Sequence, residues 1–380
     1  MNQSEFLVDE LNDSLIFGNL SLSTTEAYVP YKHRPETYIV PVLFAIIFLI
    51  GVLGNGTLVL IFIRHRKMRN VPNTYIISLA LGDLLLILTC VPFTSTVYTF
   101  ESWPYGSFIC KVSESMRDVS VGVSVFTLTA LSAERYCAIS NPIRRRISSK
   151  PFTTLIAFAI WLTAAILALP SALFSDVMKA RLENGAEIEY CYPFPEELGP
   201  TYRIGLVLFK FVVYYAFPLI VIAWFYIMTA LHLEMTARNM PGEMQGQSSQ
   251  IRARKKVAKM VMSFVILFML CFLPYNVFML WFHLWPTSQE DFDEFWHTFR
   301  ITSFCLSFIN SCINPIALYF VSGVFRKYFN RYLFGCCKVP NLLRNNSRNV
   351  STRASTRSLS CRRHTSVLTH HVTLTTTDIS

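Results

Sequence analysis

Apolar residues along this chain gather into seven runs separated by short polar connections: about 39–63, 73–98, 107–139, 151–173, 202–233, 257–284 and 297–320. Each run is long enough, as a helix, to cross the ~30 Å hydrocarbon layer of a bilayer. The third and sixth keep an apolar middle between polar ends. The pattern predicts an all-α membrane protein in which residues 39–322 form a seven-transmembrane helix bundle. Ahead of it, residues 1–38 are polar. Behind it, residues 323–337 are basic and aromatic in an amphipathic pattern, which predicts a short juxtamembrane helix. Residues 338–380 are low in hydrophobes and rich in Arg, Ser and Thr, a composition that predicts disorder. Met1 to Asp13 has neither a basic start nor an apolar core, so the first span is expected to serve as the signal anchor.

Charge gives the bundle a direction. Seven spans put the termini on opposite sides. The N-terminal segment and the second, fourth and sixth connections hold four basic residues, Lys32, Arg34, Lys179 and Arg181. The other connections and the tail hold a large excess, including Arg64, Arg66, Lys67, Arg69, Arg144, Arg145, Arg146, Lys255 and Lys256. By the positive-inside rule the N-terminus is outside and the tail is cytoplasmic. The net charge of +10 is then a matter of sidedness and not a nucleic-acid footprint. Seventeen acids on the outer segments would steer a cationic ligand, or simply make a soluble rim. Asn2, Asn12 and Asn19 begin glycosylation sequons in the outer tail.

The third span carries the densest chemistry. Val119 to Ala133 holds no charge, yet Glu114, Arg117 and Asp118 precede it and Glu134-Arg135-Tyr136 follow. With Cys110, the first three fall on or near one helical face. Ionisable residues within a membrane are costly and mark candidate sites. The plainer alternative is that both groups snorkel from the helix ends. Glu114, three residues from Arg117, is the better-placed partner for it than adjacent Asp118. Asp83 is a lone carboxylate deep in the second span, and burial would neutralise it without partners. Ser124, Asn310, Ser311 and Asn314 offer neutral oxygens, a set that suits a sodium ion or, more plainly, a hydrated hydrogen-bond network. No other cofactor is called for, and no Cys/His cluster has metal-ligand spacing.

Cys110 and Cys191 both face the oxidising side and can pair, tying the 174–201 connection over the bundle. Cys336 and Cys337 follow the amphipathic segment and are candidate palmitoylation sites beside membrane lipid. Pro170, Pro218, Pro274 and Pro315 punctuate the later spans as expected kinks.

These residues together resemble the rhodopsin class of G-protein-coupled receptors over about 35–337. The matching features are Gly54-Asn55, Leu79 to Leu84, Cys110 with Cys191, Glu134-Arg135-Tyr136, Trp161, Pro218 with Tyr226, Cys271-Phe272-Leu273-Pro274 and Asn314-Pro315. Met68 to Asn73 and Ser120 to Ala133 are similar to the bombesin-receptor branch, and within it to the invertebrate CCHamide neuropeptide receptors. The resemblance implies a plasma-membrane receptor that performs no bond chemistry. An amidated peptide would enter an outer pocket walled by Glu114, Arg117, Asp118, Phe272, Tyr275, Asn276, His283, Arg300 and Phe304. Arg135, released from Glu134, would open a cytoplasmic face to a heterotrimeric G protein of the Gq class, with Tyr136, Tyr226, Pro274, Asn314, Pro315 and Tyr319 as further switch residues. Arrestin and a receptor kinase would read the Ser/Thr-rich tail. Phe272 stands where most members carry tryptophan, and Tyr319 comes one residue later than usual. Two rivals remain at this point: the same fold with a small amine or lipid ligand, and a secondary transporter, against which the lack of repeated halves counts.

Overall fold

The computed structural model describes residues 33–140, 150–181, 187–239, 245–333 and Gly335. Asn2, Asn12, Asn19, Arg144 to Arg146, Cys336, Cys337 and the 338–380 tail lie outside them. Long helices dominate: α1 Glu36–Arg64, α2 Val71–Thr89, α3 Gly106–Ser140 and α4 Lys150–Leu167 come first. α5 starts as Gly199–Phe211, passes through a π-helical turn at Val212–Ala216 and resumes as Phe217–Asn239. α6 is Gln245–Leu284, α7 is Glu294–Val321 and the short α8 is Gly323–Leu333. Among the described residues, six helical stretches are long and apolar enough to cross a membrane. α3 falls below that threshold because its charges interrupt the apolar run. It nonetheless packs against α2, α4, α5 and α6, at the centre of the bundle. Large apolar side chains such as Leu155, Phe158 and Ile220 point outward, as in a molecule whose solvent is lipid.

Local chemistry explains where the helices start, stop and bend. Asn70 caps α2 by accepting from the Asn73 amide at 3.1 Å, with Pro72 in the first turn. Asp293 does the same for α7 through Trp296 at 3.0 Å. The second span was expected to run unbroken to 98. Instead α2 ends at Thr89, followed by a short helix Val91–Thr94 and a 3₁₀ turn Ser95–Tyr98. Pro92 is the cause: it supplies no backbone N–H to the preceding turn. Pro170 similarly opens a separate turn, Leu169–Phe174, after α4. Pro218 leaves the Tyr214 carbonyl without its usual donor, and the π turn lies at that point.

The connection between α4 and α5 is more ordered than an all-α reading allows. Strands β1 (Asp176–Arg181) and β2 (Glu187–Tyr192) form an antiparallel hairpin, with Val177 opposite Cys191. Ile188, Tyr190 and Tyr192 alternate inward along β2, the period-2 signature of a half-buried strand. The disulfide Cys110–Cys191, with Cα atoms 5.4 Å apart, fastens β2 to the start of α3.

Candidate functional site

A cleft opens within the bundle, near the end that carries the hairpin. α3 contributes Arg117, Asp118 and Val121 to its wall, and α5 contributes Lys210, Tyr214 and Tyr215. α6 adds Phe272, Tyr275 and Asn276, while Ser307 and Phe308 come from α7. A second cleft shares Arg117, Lys210, Tyr275 and Asn276 and continues towards Pro193 and Phe194, just beyond β2. A floor of aromatic rings beneath polar groups that fix orientation is the common design of a ligand site.

Two ion pairs order the charged wall. Arg117 Nη2 donates to Glu114 Oε2 at 2.7 Å, one helical turn away. Asp118 faces elsewhere. Its Oδ2 lies 2.8 Å from Lys210 Nζ and accepts from the Ser171 hydroxyl at 2.5 Å, while Lys210 also donates to Ser171 Oγ at 3.1 Å. This bridge joins α3, α5 and the turn after α4. Lys210 was not anticipated, although a lysine inside the fifth apolar run is itself the signal that marks a site.

Five of the anticipated pocket residues line these clefts, Arg117, Asp118, Phe272, Tyr275 and Asn276, and Glu114 adjoins them through Arg117. Phe272 forms the deep wall, its ring 4.6 Å from that of Phe268. The other three do not line either cleft but pack around it. His283 packs against Phe194 and Phe282 towards the hairpin end. Arg300 lies over the Phe292 ring and beside His297. Phe304 is turned between α1 and α2, against Phe44 and Tyr98. His283 and Arg300 lie seven residues from Asn276 and Ser307, on the same helical faces but two turns away.

At the opposite end Glu134 and Arg135 form a buried ion pair. Tyr136 packs against Trp224 and Phe225 of α5. The Tyr226 hydroxyl donates to the Ala258 carbonyl of α6 at 3.2 Å, holding α5 against α6. Tyr319 lies against Phe320 and Phe329, at the join of α7 and α8. Pro274 and Pro315 lie inside α6 and α7 as expected. His65 contacts α8 through the Tyr332 hydroxyl at 3.0 Å; burial, then Arg331 and Arg64, push its imidazole below the usual value.

Between the two ends lies a polar core. Asp83 is fully buried, and Asn314 Nδ2 donates to its Oδ2 at 2.9 Å. The Ser311 hydroxyl is also a partner. Its other oxygen, Oδ1, has no protein partner among the described residues. Ser124 and Asn310 are buried too, but neither hydrogen-bonds to Asp83. One orphaned carboxylate oxygen among buried neutral oxygens fits a small hard cation as its occupant, or a water. Asn55 Nδ2 donates to the Ser311 carbonyl at 2.8 Å, tying α1 to the same region of α7.

Comparison with known proteins accords with this geometry. Residues 54–319 match the family described as 7 transmembrane receptor (rhodopsin family). The chain is also similar to the neuropeptide CCHamide-1 receptor of Drosophila melanogaster, 58% identical over 322 residues. That match covers 82% of this chain and 64% of the relative's own length. With its buried Glu134-Arg135 pair, its polar core at Asp83 and its cleft between α3, α5, α6 and α7, the chain belongs to the rhodopsin family of seven-transmembrane receptors.

Proposed function

We propose that this receptor is activated by an amidated neuropeptide of the CCHamide type and passes the signal to a heterotrimeric G protein, of the Gq class. The observation that carries the reading is the cleft wall with Arg117 and Lys210 above Tyr214, Tyr215, Phe272 and Tyr275. Two cationic heads beside aromatic rings suit the carbonyls and apolar side chains of a peptide. Similarity to the Drosophila receptor supports the ligand class. The N-terminus and the hairpin lie outside and the tail is cytoplasmic, in line with the Lys/Arg asymmetry.

Peptide binding acts by favouring a second helix arrangement, since a ligand shifts an equilibrium only by its differential affinity. In the arrangement described, Glu134 holds Arg135, and Tyr226 holds α5 to α6. Outward movement of α6 breaks the Tyr226 contact, and Arg135, released from Glu134, then faces the C-terminal helix of the G protein's α subunit. The Ser/Thr-rich tail takes a receptor kinase and arrestin, and Cys336 and Cys337 take palmitate.

A small amine is the poorer ligand. The carboxylate that would bind it, Asp118, already pairs with Lys210 at 2.8 Å. The test is expression in cultured cells challenged with synthetic CCHamide-1 and a library of other amidated peptides. A calcium response to amidated peptides is expected. Silence to every peptide at verified surface expression, with a response to amines instead, would overturn the proposal.

A further inference from the structure

The Lys210–Asp118–Ser171 bridge spans three elements and lies in the cleft wall, yet nothing in the activation scheme above uses it. An ammonium has three N–H donors. Asp118 Oδ2 at 2.8 Å and Ser171 Oγ at 3.1 Å take two of them. One donor is left, and the Lys210 side chain, 21% exposed against 8% for Asp118, lines both clefts. Asp118 is backed by Ser171, so an incoming group meets the lysine first.

Lys210 also lies just before the π turn Val212–Ala216. That turn presents Tyr215, whose hydroxyl donates to the Met269 carbonyl of α6 at 3.2 Å and whose ring stacks on Phe268. Phe268 in turn packs on Phe272. Single π turns inside α-helices occur mostly at functional sites. The bridge therefore anchors α5 immediately beside the turn that grips α6.

We propose that Lys210, Asp118 and Ser171 form a ligand-operated tether: in the empty receptor they pin α5 to α3 and to the turn after α4, and a peptide acceptor oxygen that takes the Lys210 ammonium releases it. The inference rests on the peptide reading of the cleft. The acceptor is a carbonyl or a carboxylate, and an amidated peptide tested beside its free-acid twin tells a terminal amide from a terminal acid.

The two partners make different predictions. Lys210→Met removes both the tether and the ligand contact. Ligand-free nucleotide exchange on the G protein, measured in membranes at matched receptor amount, rises about threefold or more. Affinity for labelled CCHamide-1 falls roughly tenfold. Asp118→Asn removes the tether but leaves the lysine more available, so ligand-free exchange rises while peptide affinity holds or improves. The exchange variant Lys210→Glu/Asp118→Lys restores a pair, and ligand-free exchange returns towards wild type, which separates a tether from mere damage to the fold. Unchanged ligand-free exchange in both single variants overturns the tether. Parallel loss of affinity in both overturns the role of Lys210 as the ligand's first contact. A wild type that binds no labelled peptide overturns the peptide reading instead, and leaves the ligand-free comparison standing as the test of the tether.

Discussion

Arg117 and Glu114 sit 2.7 Å apart with side chains 18% and 15% exposed, so neither charge is fully solvated. Their pairing was legible in the sequence because i,i+3 neighbours share a helical face. The partner of Asp118 was not. Lys210 lies 92 positions later on α5, and only the bundle brings the two together. A lone lysine in an apolar run marks a site from sequence but does not name its partner. Phe304 shows the converse, since its helix was identifiable but its facing depended on how α7 rotates against α1 and α2. Glu114 already holds Arg117, so a peptide carbonyl would add to that contact and need not replace it. Arg117→Gln keeps an N–H donor but loses the charge. Peptide potency is expected to fall roughly tenfold or more, as loss of a charged hydrogen bond of about 1.5–3 kcal/mol implies. Surface expression, measured by antibody to an N-terminal tag, should stay near wild type. Failure to reach the surface, or unchanged peptide affinity, would make Arg117 a structural ion-pair member only.

At the scale of elements, helix existence followed from hydropathy, whereas breaks and close approaches depended on single residues. Pro92 ended α2 early, and the alternation of Ile188, Tyr190 and Tyr192 within a connection read as loop concealed a hairpin. Gly54 and Gly56 look equivalent in the sequence, two glycines flanking Asn55. The structure separates them. A Cβ on Gly54 would meet the Pro315 ring at 2.8 Å, whereas one on Gly56 would meet nothing within 4 Å. α1 and α7 therefore touch through Gly54, and a proline ring is too stiff to yield. Gly54→Val should cost about 1–3 kcal/mol through overpacking. Gly56→Val should be neutral or slightly stabilising, because valine is a better helix former than glycine. The check is thermal inactivation of peptide binding in detergent: a lower midpoint for Gly54→Val alone. Equal midpoints would mean that α1 is free to move away from α7.

For the whole molecule, seven runs of hydropathy gave the bundle but not its centre. α3 is the least apolar long helix, and it is tolerated because protein, not lipid, surrounds its charges. Orientation rests on charge asymmetry, and changing Asn2, Asn12 and Asn19 together to Gln should abolish most of the gel shift that glycosidase produces. Asn345 and Asn349 begin sequons in the C-terminal tail, and a shift that survives and depends on either would invert the proposed topology. The polar core gives the remaining test, because it lies between the cleft and the Glu134-Arg135 end. Asp83 of α2 is joined to Asn314 of α7 at 2.9 Å, one residue before Pro315, and its Oδ1 is left without a protein partner. A sodium ion there would gain its oxygens only while α2, α3 and α7 keep this spacing. It would therefore favour the closed arrangement and, by reciprocal linkage, weaken a peptide that favours the open one. Raising sodium from none to physiological at fixed ionic strength, with a bulky organic cation in exchange, should lower peptide affinity roughly fivefold or more. Asp83→Asn should bind peptide equally well in both buffers. If the wild type shows no sodium effect, the buried oxygens hold water, and the core is a hydrogen-bonded joint between α2 and α7 without a regulating ion.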